Sequence, residues 1–342
     1  MSVGAVHRLY RRGRFFVRRI VNFDTDRVLQ FARQSARLTK APLWWVVADM
    51  AWCSVRYETT FENYSEWDFR ILRARERATY MTDPKSFHLS RRLNDNAQRA
   101  IFDDKLEFAK RFGIELGREW LDLRETDASA FAAFVDRHDR IIAKNPGGVG
   151  GNGITLRRRD EIDDVEAFRA ELVAAGQVLV EEVLVQHSDM ASLYPDSVNS
   201  LRMVSYCDPD GVVHVLAAVL KIGNGGVIDN FSNGGMYTML DERGRALHAA
   251  SDEEGHPFAE HPVTGVAITG FQVPLYDEVL ALVDTLARRV PAFPYIGWDV
   301  AITPTGPVVI EGNHNSGVFQ SKPSVSGIRQ GLLPRYRAAM RF

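Results

Sequence analysis

The options open to this chain narrow most sharply at residues 297–317, GWDVAITPTGPVVIEGNHNSG. Trp298-Asp299-Val300-Ala301-Ile302 alternates, residues 304–307 carry turn chemistry, and Val308-Val309-Ile310 returns, so the pattern predicts two short antiparallel strands. Asp299 falls in the first strand. Glu311 ends the second, and Asn313 follows on the same face by the period of two. Two carboxylates and an amide oxygen at one end of a rigid hairpin suit a hard cation such as Mg2+, which takes oxygen ligands and leaves positions for phosphates. A surface hairpin with charged ends is the plain alternative, so the reading needs partners elsewhere in the chain.

The strongest partner is the run Lys144-Asn145-Pro146-Gly147-Gly148-Val149-Gly150-Gly151-Asn152-Gly153. Five glycines in the seven residues 147–153 allow backbone N–H groups to close over phosphates. The run follows a short apolar strand, residues 140–144, whose last residue Lys144 adds a point charge beside the same oxygens. The spacing matches neither GxxxxGK[ST] nor GxGxxG before a helix. A mobile surface loop is the alternative. Arg202 lies inside an apolar strand, Asn199-Ser200-Leu201-Arg202-Met203-Val204, where an arginine needs an anionic partner: a polyphosphate, a carboxylate or a structural ion pair. Lys221 ends the next strand and opens a Gly/Asn-rich segment, and Lys105 reads by itself as a helix-surface lysine. His187, His214 and His314 have no HxH or HExxH spacing, so no zinc site is indicated.

The 342 residues accommodate two domains, or one elaborated domain, with a sizeable core. Cys53 and Cys207 lie far apart, which fits a reducing compartment and excludes a disulfide framework. No apolar run is long enough to span a bilayer, and no apolar core with a cleavage site follows the first arginines, so a cytoplasmic chain is expected. The net charge of -2 conceals an asymmetry: residues 1–100 carry 19 Lys+Arg against 10 Asp+Glu. Arg8, Arg11, Arg12, Arg14, Arg18 and Arg19 precede the first acid, Asp24, and surround Phe15, Phe16 and Val17. This basic arm either docks on the protein's own acidic body or makes peripheral contact with an anionic surface, such as the inner face of a membrane. Nucleic acid is not an expected partner, because no binding module is recognisable.

The periodicity predicts an α+β fold with a mostly helical N-terminal region, residues 1–93, followed by an α+β body from 94 onward. Helices are expected at 27–38, 44–57, 69–80, 95–112, 160–175 and 276–290. Strands are expected at 140–144, 177–185, 200–207 and 212–222, and in the hairpin. No βαβ alternation suggests a Rossmann core.

The order of these pieces resembles the ATP-grasp superfamily over residues 94–320. Within it, the IAKNPGGVGGNG loop, SLRMVSY, LKIGNGGVIDNFSNGG and IEGNHNSG are similar to the sugar-transfer-associated ATP-grasp family, a relative of the α-L-glutamate ligases. The resemblance implies two α+β subdomains, about 94–183 and 184–320, clasping ATP, with a tail at 321–342. It implies that Lys105 and Lys144 contact ATP phosphates under a lid containing Gly147, Gly148, Gly150 and Gly151. Glu181, Glu182 and Leu184 would belong to the interdomain strand that holds adenine. Asp189, with Gln186 and His187 as alternatives, would bind ribose. Arg202 would meet the γ-phosphate, with Lys221 and Asn230 near the reacting groups and Asn233, Gly234 and Gly235 beside them. Asp299, Glu311 and Asn313 would hold two Mg2+ ions, Glu311 bridging them. The family commonly places an acid two residues before the arginine, and here that position is Ser200. The implied activity is ATP-dependent carboxylate–amine ligation through an acyl phosphate, on a saccharide, amino-acid or cell-surface polymer building block. A small-molecule kinase and a non-catalytic ATP-binding scaffold of a polysaccharide-synthesis complex are the alternatives.

Overall fold

The computed structural model of the protein describes residues 25–148, 153–225 and 234–341. The expected basic arm lies outside them. Helices of eight residues or more within them are α1 (Thr25–Arg37), α2 (Leu43–Tyr57), α3 (Asp83–Leu93), α4 (Lys105–Phe112), α5 (Ala128–Arg137), α6 (Val165–Ala174), α7 (Tyr276–Arg289) and α8 (Leu333–Met340). No helix among the described residues is long and apolar enough to cross a membrane.

Two antiparallel sheets form the body. The smaller, in the order β1-β4-β2-β3, joins β1 (Trp120–Asp122), β2 (Arg140–Lys144), β3 (Ile154–Arg158) and β4 (Leu179–Glu182). Phe131 and Phe134 of α5 and Phe168 and Leu172 of α6 pack on Ile141, Ala143 and Val180 to cover one face. The larger runs β11-β10-β5-β6-β7-β8-β9. Its strands are β5 (Ser200–Cys207), β6 (Val213–Ile222), β7 (Met236–Met239), β8 (Ala250–Ser251), β9 (Pro257–Phe258), β10 (Tyr295–Thr303) and β11 (Gly306–Asn313). The α+β class with antiparallel hairpins is as the sequence indicated.

The period of two sorts the large sheet into two cores. Leu201, Met203, Leu220, Trp298 and Val300 face α4 and α7. Val204, Tyr206, Ala217 and Tyr295 face the other way, onto the N-terminal helices, where Met50, Tyr64, Trp67 and Phe69 meet them. The described part of the N-terminal region, residues 25–93, therefore shares a core with the sheet.

Two expected helices are broken. Residues 69–80 form only the turns Phe69–Ile71 and Ala74–Arg77, because Leu72 is extended between them. Residues 95–112 are interrupted at Asp104, whose side chain accepts from Leu106 N at 2.8 Å and caps α4. Lys105 is thus the first residue of a helix.

The turn at Ala74–Arg77 explains how Asp49 sits in the apolar α2. Arg77 grips its carboxylate with two bonds of 2.9 and 2.8 Å, and Tyr64 donates at 2.6 Å. Burial alone would raise the carboxyl pKa, but the bonds from Arg77 and Tyr64 outweigh it and lower it below 3.8. Breaking a buried pair of this kind costs about 3–5 kcal/mol. Asp49→Asn is expected to lose about that much in urea denaturation at neutral pH. A depressed folded pKa means the stabilisation is present above the unfolded pKa and lost as pH falls. The gap between wild type and variant should therefore narrow as the pH falls below the ordinary aspartate value of about 4.

Candidate active site

A cavity of about 630 Å3 lies between the two sheets. Lys105, Lys144, Asn145, Gly147, Gly148 and Glu181 line it from the small-sheet side. Ser200, Arg202, Lys221, Asp299, Glu311 and Asn313 line it from the large sheet.

Sheet register assembles the second group. Asp299 pairs with Glu311 on one side and with Arg202 on the other, and Ser200 pairs with Lys221 on the next strand. Directly paired residues point to the same face, so these side chains share one face of the sheet across four strands. Arg202 holds Asp299 with two bonds of 2.5 and 2.8 Å, and Lys221 Nζ is 3.8 Å from the same carboxylate. Asp299 is only 4% exposed. Burial opposes its charge, yet Arg202 and Lys221 bring its pKa well below the usual carboxylate range. Glu311 goes the other way: burial, then the charge of Asp299 and a hydrogen bond to it, raise its pKa. Asn313 Nδ2 donates to Glu311 Oε1 at 3.3 Å. The hairpin thus holds two adjacent carboxylates and an amide, with Glu311 inside β11 rather than at its end.

Opposite stands a second buried carboxylate with two cations. Glu181, 2% exposed, accepts from Arg118 Nε at 2.8 Å and pairs with Lys144. Burial would raise its pKa, but Arg118 and Lys144 hold it at about 2. Arg118, its side chain 4% exposed, also donates to Val309 O of β11 at 3.2 Å, so it ties the small sheet to the large one. Lys105 donates to Gly148 O, and burial lowers its pKa. Lys105 is therefore already in contact with the start of the glycine loop.

Of the other expected residues, Gly150, Gly151, Asn230 and Asn233 lie outside the described residues. Gly234 and Gly235 are described but are not among the cavity's lining residues. Glu182, Leu184 and Asp189 do not line it either. Asp189 is exposed at the start of a short helix, Ser188–Leu193, which His187 caps. Gln186 is committed to structure: it donates to Tyr194 O and Ser197 O and accepts from Asn199 N.

The sequence reading missed Arg118, Phe102 and His314. The only signal for Arg118 was an arginine after Gly117, two residues ahead of β1. His314 Nε2 lies 3.0 Å from Asp103 and was weighed only as a zinc ligand. Phe102 packs edge-on to Trp298, and a Cβ on Gly312 would come within 2.6 Å of it. Helix α3 braces the segment after β11. Asn94 Nδ2 donates to His314 O, Ser86 Oγ to Ser316 O, and Val318 N to Asp83 Oδ1.

With that geometry in place, the family model for sugar-transfer associated ATP-grasp proteins matches residues 85–333. The chain belongs to that family. The match begins inside α3. No curated protein sequence matches this ATP-grasp chain. Among solved structures, an ADP complex of N5-carboxyaminoimidazole ribonucleotide synthetase is 12% identical with a TM-score of 0.41, over 69% of this chain and 52% of that one. This ATP-grasp protein thus spans about half the length of that neighbour. The ATP-grasp ligase PsnB with its minimal precursor is 16% identical with a TM-score of 0.42, over 82% and 75%. D-alanyl-alanine synthetase A from Vibrio cholerae is 14% identical with a TM-score of 0.39, over 67% and 60%. The family rests on the model match and not on these distant likenesses.

Glu181→Gln leaves Arg118 and Lys144 facing each other in a closed site. Leaving buried charge uncompensated costs about 3 kcal/mol or more. Thermal unfolding should show a lower Tm for this variant, and added triphosphate should restore more of it than it adds to wild type.

Proposed function

We propose that this ATP-grasp protein is an ATP-dependent carboxylate–amine ligase. The observation that carries the reading is the single cavity in which Lys105, Lys144, Arg202 and Lys221 meet the row Asp299–Glu311–Asn313. The apolar wall of Leu116, Ile142, Ile154, Leu179 and Ile310 offers a planar base a dry surface and leaves the charged end for phosphates.

The donor set fits Mg2+. Asp299, Glu311 and Asn313 offer only oxygens to a cation, and Glu311 stands beside Asp299 with its charge disfavoured by burial and by that neighbour. A divalent cation between such carboxylates removes the repulsion that now raises one of them. We infer two ions, with Glu311 shared. When bound they neutralise developing charge on the phosphates and fix their geometry.

The chain's own residues account for the rest. Lys144 and Lys105 hold phosphate oxygens at the mouth of the glycine loop. Arg202, held by Asp299, faces the transferring phosphoryl group, and Lys221 adds charge beside it. The substrate carboxylate oxygen bonds to the γ-phosphorus as the bond to the β-phosphate oxygen breaks, releasing ADP. An amine nitrogen then attacks the acyl carbon and loses a proton, inorganic phosphate leaves, and an amide remains. Little covalent work is asked of side chains; positioning and electrostatics dominate, as in phosphoryl transfer generally. The family's association with sugar transfer favours a saccharide or cell-surface polymer building block as one reactant. Acceptor selection would fall to the N-terminal helices, residues 223–270 and residues 322–337.

Glu311→Ala should cut substrate-dependent ADP release by roughly 10²-fold or more, and chelation of Mg2+ should abolish it reversibly. Turnover that survives Glu311→Ala contradicts the site. Mass analysis of the product separates the reactions: amide plus inorganic phosphate supports ligation, and a stable phosphorylated product makes the protein a kinase. Nucleotide binding with no turnover across a panel of carboxylates and amines would leave the scaffold reading.

A further inference from the structure

Helix α2 is two-sided in an unusual sense. Val46, Met50, Cys53, Ser54 and Tyr57 are buried. At 100° per residue, Trp44, Ala48, Trp52, Val55, Trp45 and Arg56 fall in one arc of about 120° on the opposite side. That arc is open: Trp44 is 70%, Trp45 47% and Trp52 57% exposed. Tryptophan is highly buried on average, so three exposed on one helix call for a cause. The arc holds no acid, because Asp49 is turned inward onto Arg77 and Tyr64. Arg37, Leu38 and Lys40 are exposed just before α2, extending the same mixture of apolar and basic groups. In sequence, the segment ahead of α1 carries six arginines before its first acid and the apolar Phe15, Phe16 and Val17.

We infer that the tryptophan face of α2 seats the protein on an anionic lipid bilayer surface. Indole rings favour the water–hydrocarbon boundary, where the ring is buried and its N–H stays wet. Arg37, Lys40 and Arg56 supply attraction to acidic headgroups. A second copy fits less well. An aromatic side chain buries about 150–250 Å2, so the exposed fractions of these three amount to roughly 260–430 Å2, about a third to a half of what one partner gives to a standard interface. A twofold contact would also set Lys40 and Arg56 against their own copies. A bilayer needs neither the area nor the shape. None of these residues lines the ATP cavity, so the surface is separate from the proposed chemistry.

The test uses the full-length chain with phosphatidylcholine vesicles containing, or lacking, phosphatidylglycerol. Wild type is expected to co-sediment with the anionic vesicles only, less so at high salt, with a blue-shifted tryptophan emission that brominated lipid quenches. The triple variant Trp44→Ser, Trp45→Ser, Trp52→Ser should lose roughly tenfold or more in partitioning, with Tm and nucleotide binding unchanged. The triple phenylalanine variant, which keeps the apolar face, should recover much of it. Failure of wild type to bind, equal binding by wild type and serine variant, or a fall in sedimentation coefficient of the serine variant without vesicles would each overturn the inference. The last result would make the face a contact between copies.

Discussion

A buried carboxylate at the centre of a sheet sets the terms for this molecule. Asp299 lies in β10 among Trp298, Val300 and Ile302, where an unpaired charge would be expensive. It is tolerated because β5 brings Arg202 directly opposite and β6 brings Lys221 one step further. The register does more than pair them. A slip of one residue between β10 and β5 would turn Arg202 towards the apolar layer of α4 and α7. The apolar residues flanking Asp299 and Arg202 therefore lock the charged row in place, and the row in turn forbids other registers.

The same sheet face binds the N-terminal helices, which makes them part of the site's framework. Tyr206, Ala217 and Tyr295 continue the face that carries Arg202, Lys221 and Asp299, and they meet the helical region there. Asn94 bonds both Tyr295 O and His314 O at 2.7 Å, so the end of α3 fixes the segment that leaves the β10–β11 hairpin. Arg118 does the equivalent at the other wall, joining Glu181 to the backbone of β11. Both clamps span many residues in sequence, and both act on backbone that follows or precedes Glu311. The cavity keeps its shape because each wall is held by a side chain from another element.

The sequence made the hairpin, the glycine loop and the strand arginine legible for one reason: each is a local pattern. Alternation at 298–302, five glycines after Lys144 and an arginine between leucine and methionine can all be read without partners. Arg118 and Phe102 could not be read that way. An arginine in the loop before a strand is ordinary, and only Glu181, sixty-three positions away, shows that it is buried for a purpose. The broken helices had a similar cause. Residues 69–80 have good helix formers, but Arg77 gains more by turning inward to Asp49 than a continuous helix would gain from propensity. Lys105 looked like a surface lysine until Asp104 proved to be a cap that starts its helix at the cavity. The reverse also occurred: Gln186, a ribose alternative by position, is held in a loop network.

The central claim is that the cavity between the sheets takes a metal nucleotide with its phosphates towards the hairpin. A crystal structure of the protein with Mn2+ and a non-hydrolysable ATP analogue tests it most directly, since manganese marks itself by anomalous scattering. The account predicts anomalous density among Asp299, Glu311 and Asn313, phosphates within reach of Lys105, Lys144 and Arg202, and the base against Ile142 and Leu179. Manganese and triphosphate bound elsewhere, with Arg202 and Lys144 making no phosphate contact, would contradict it.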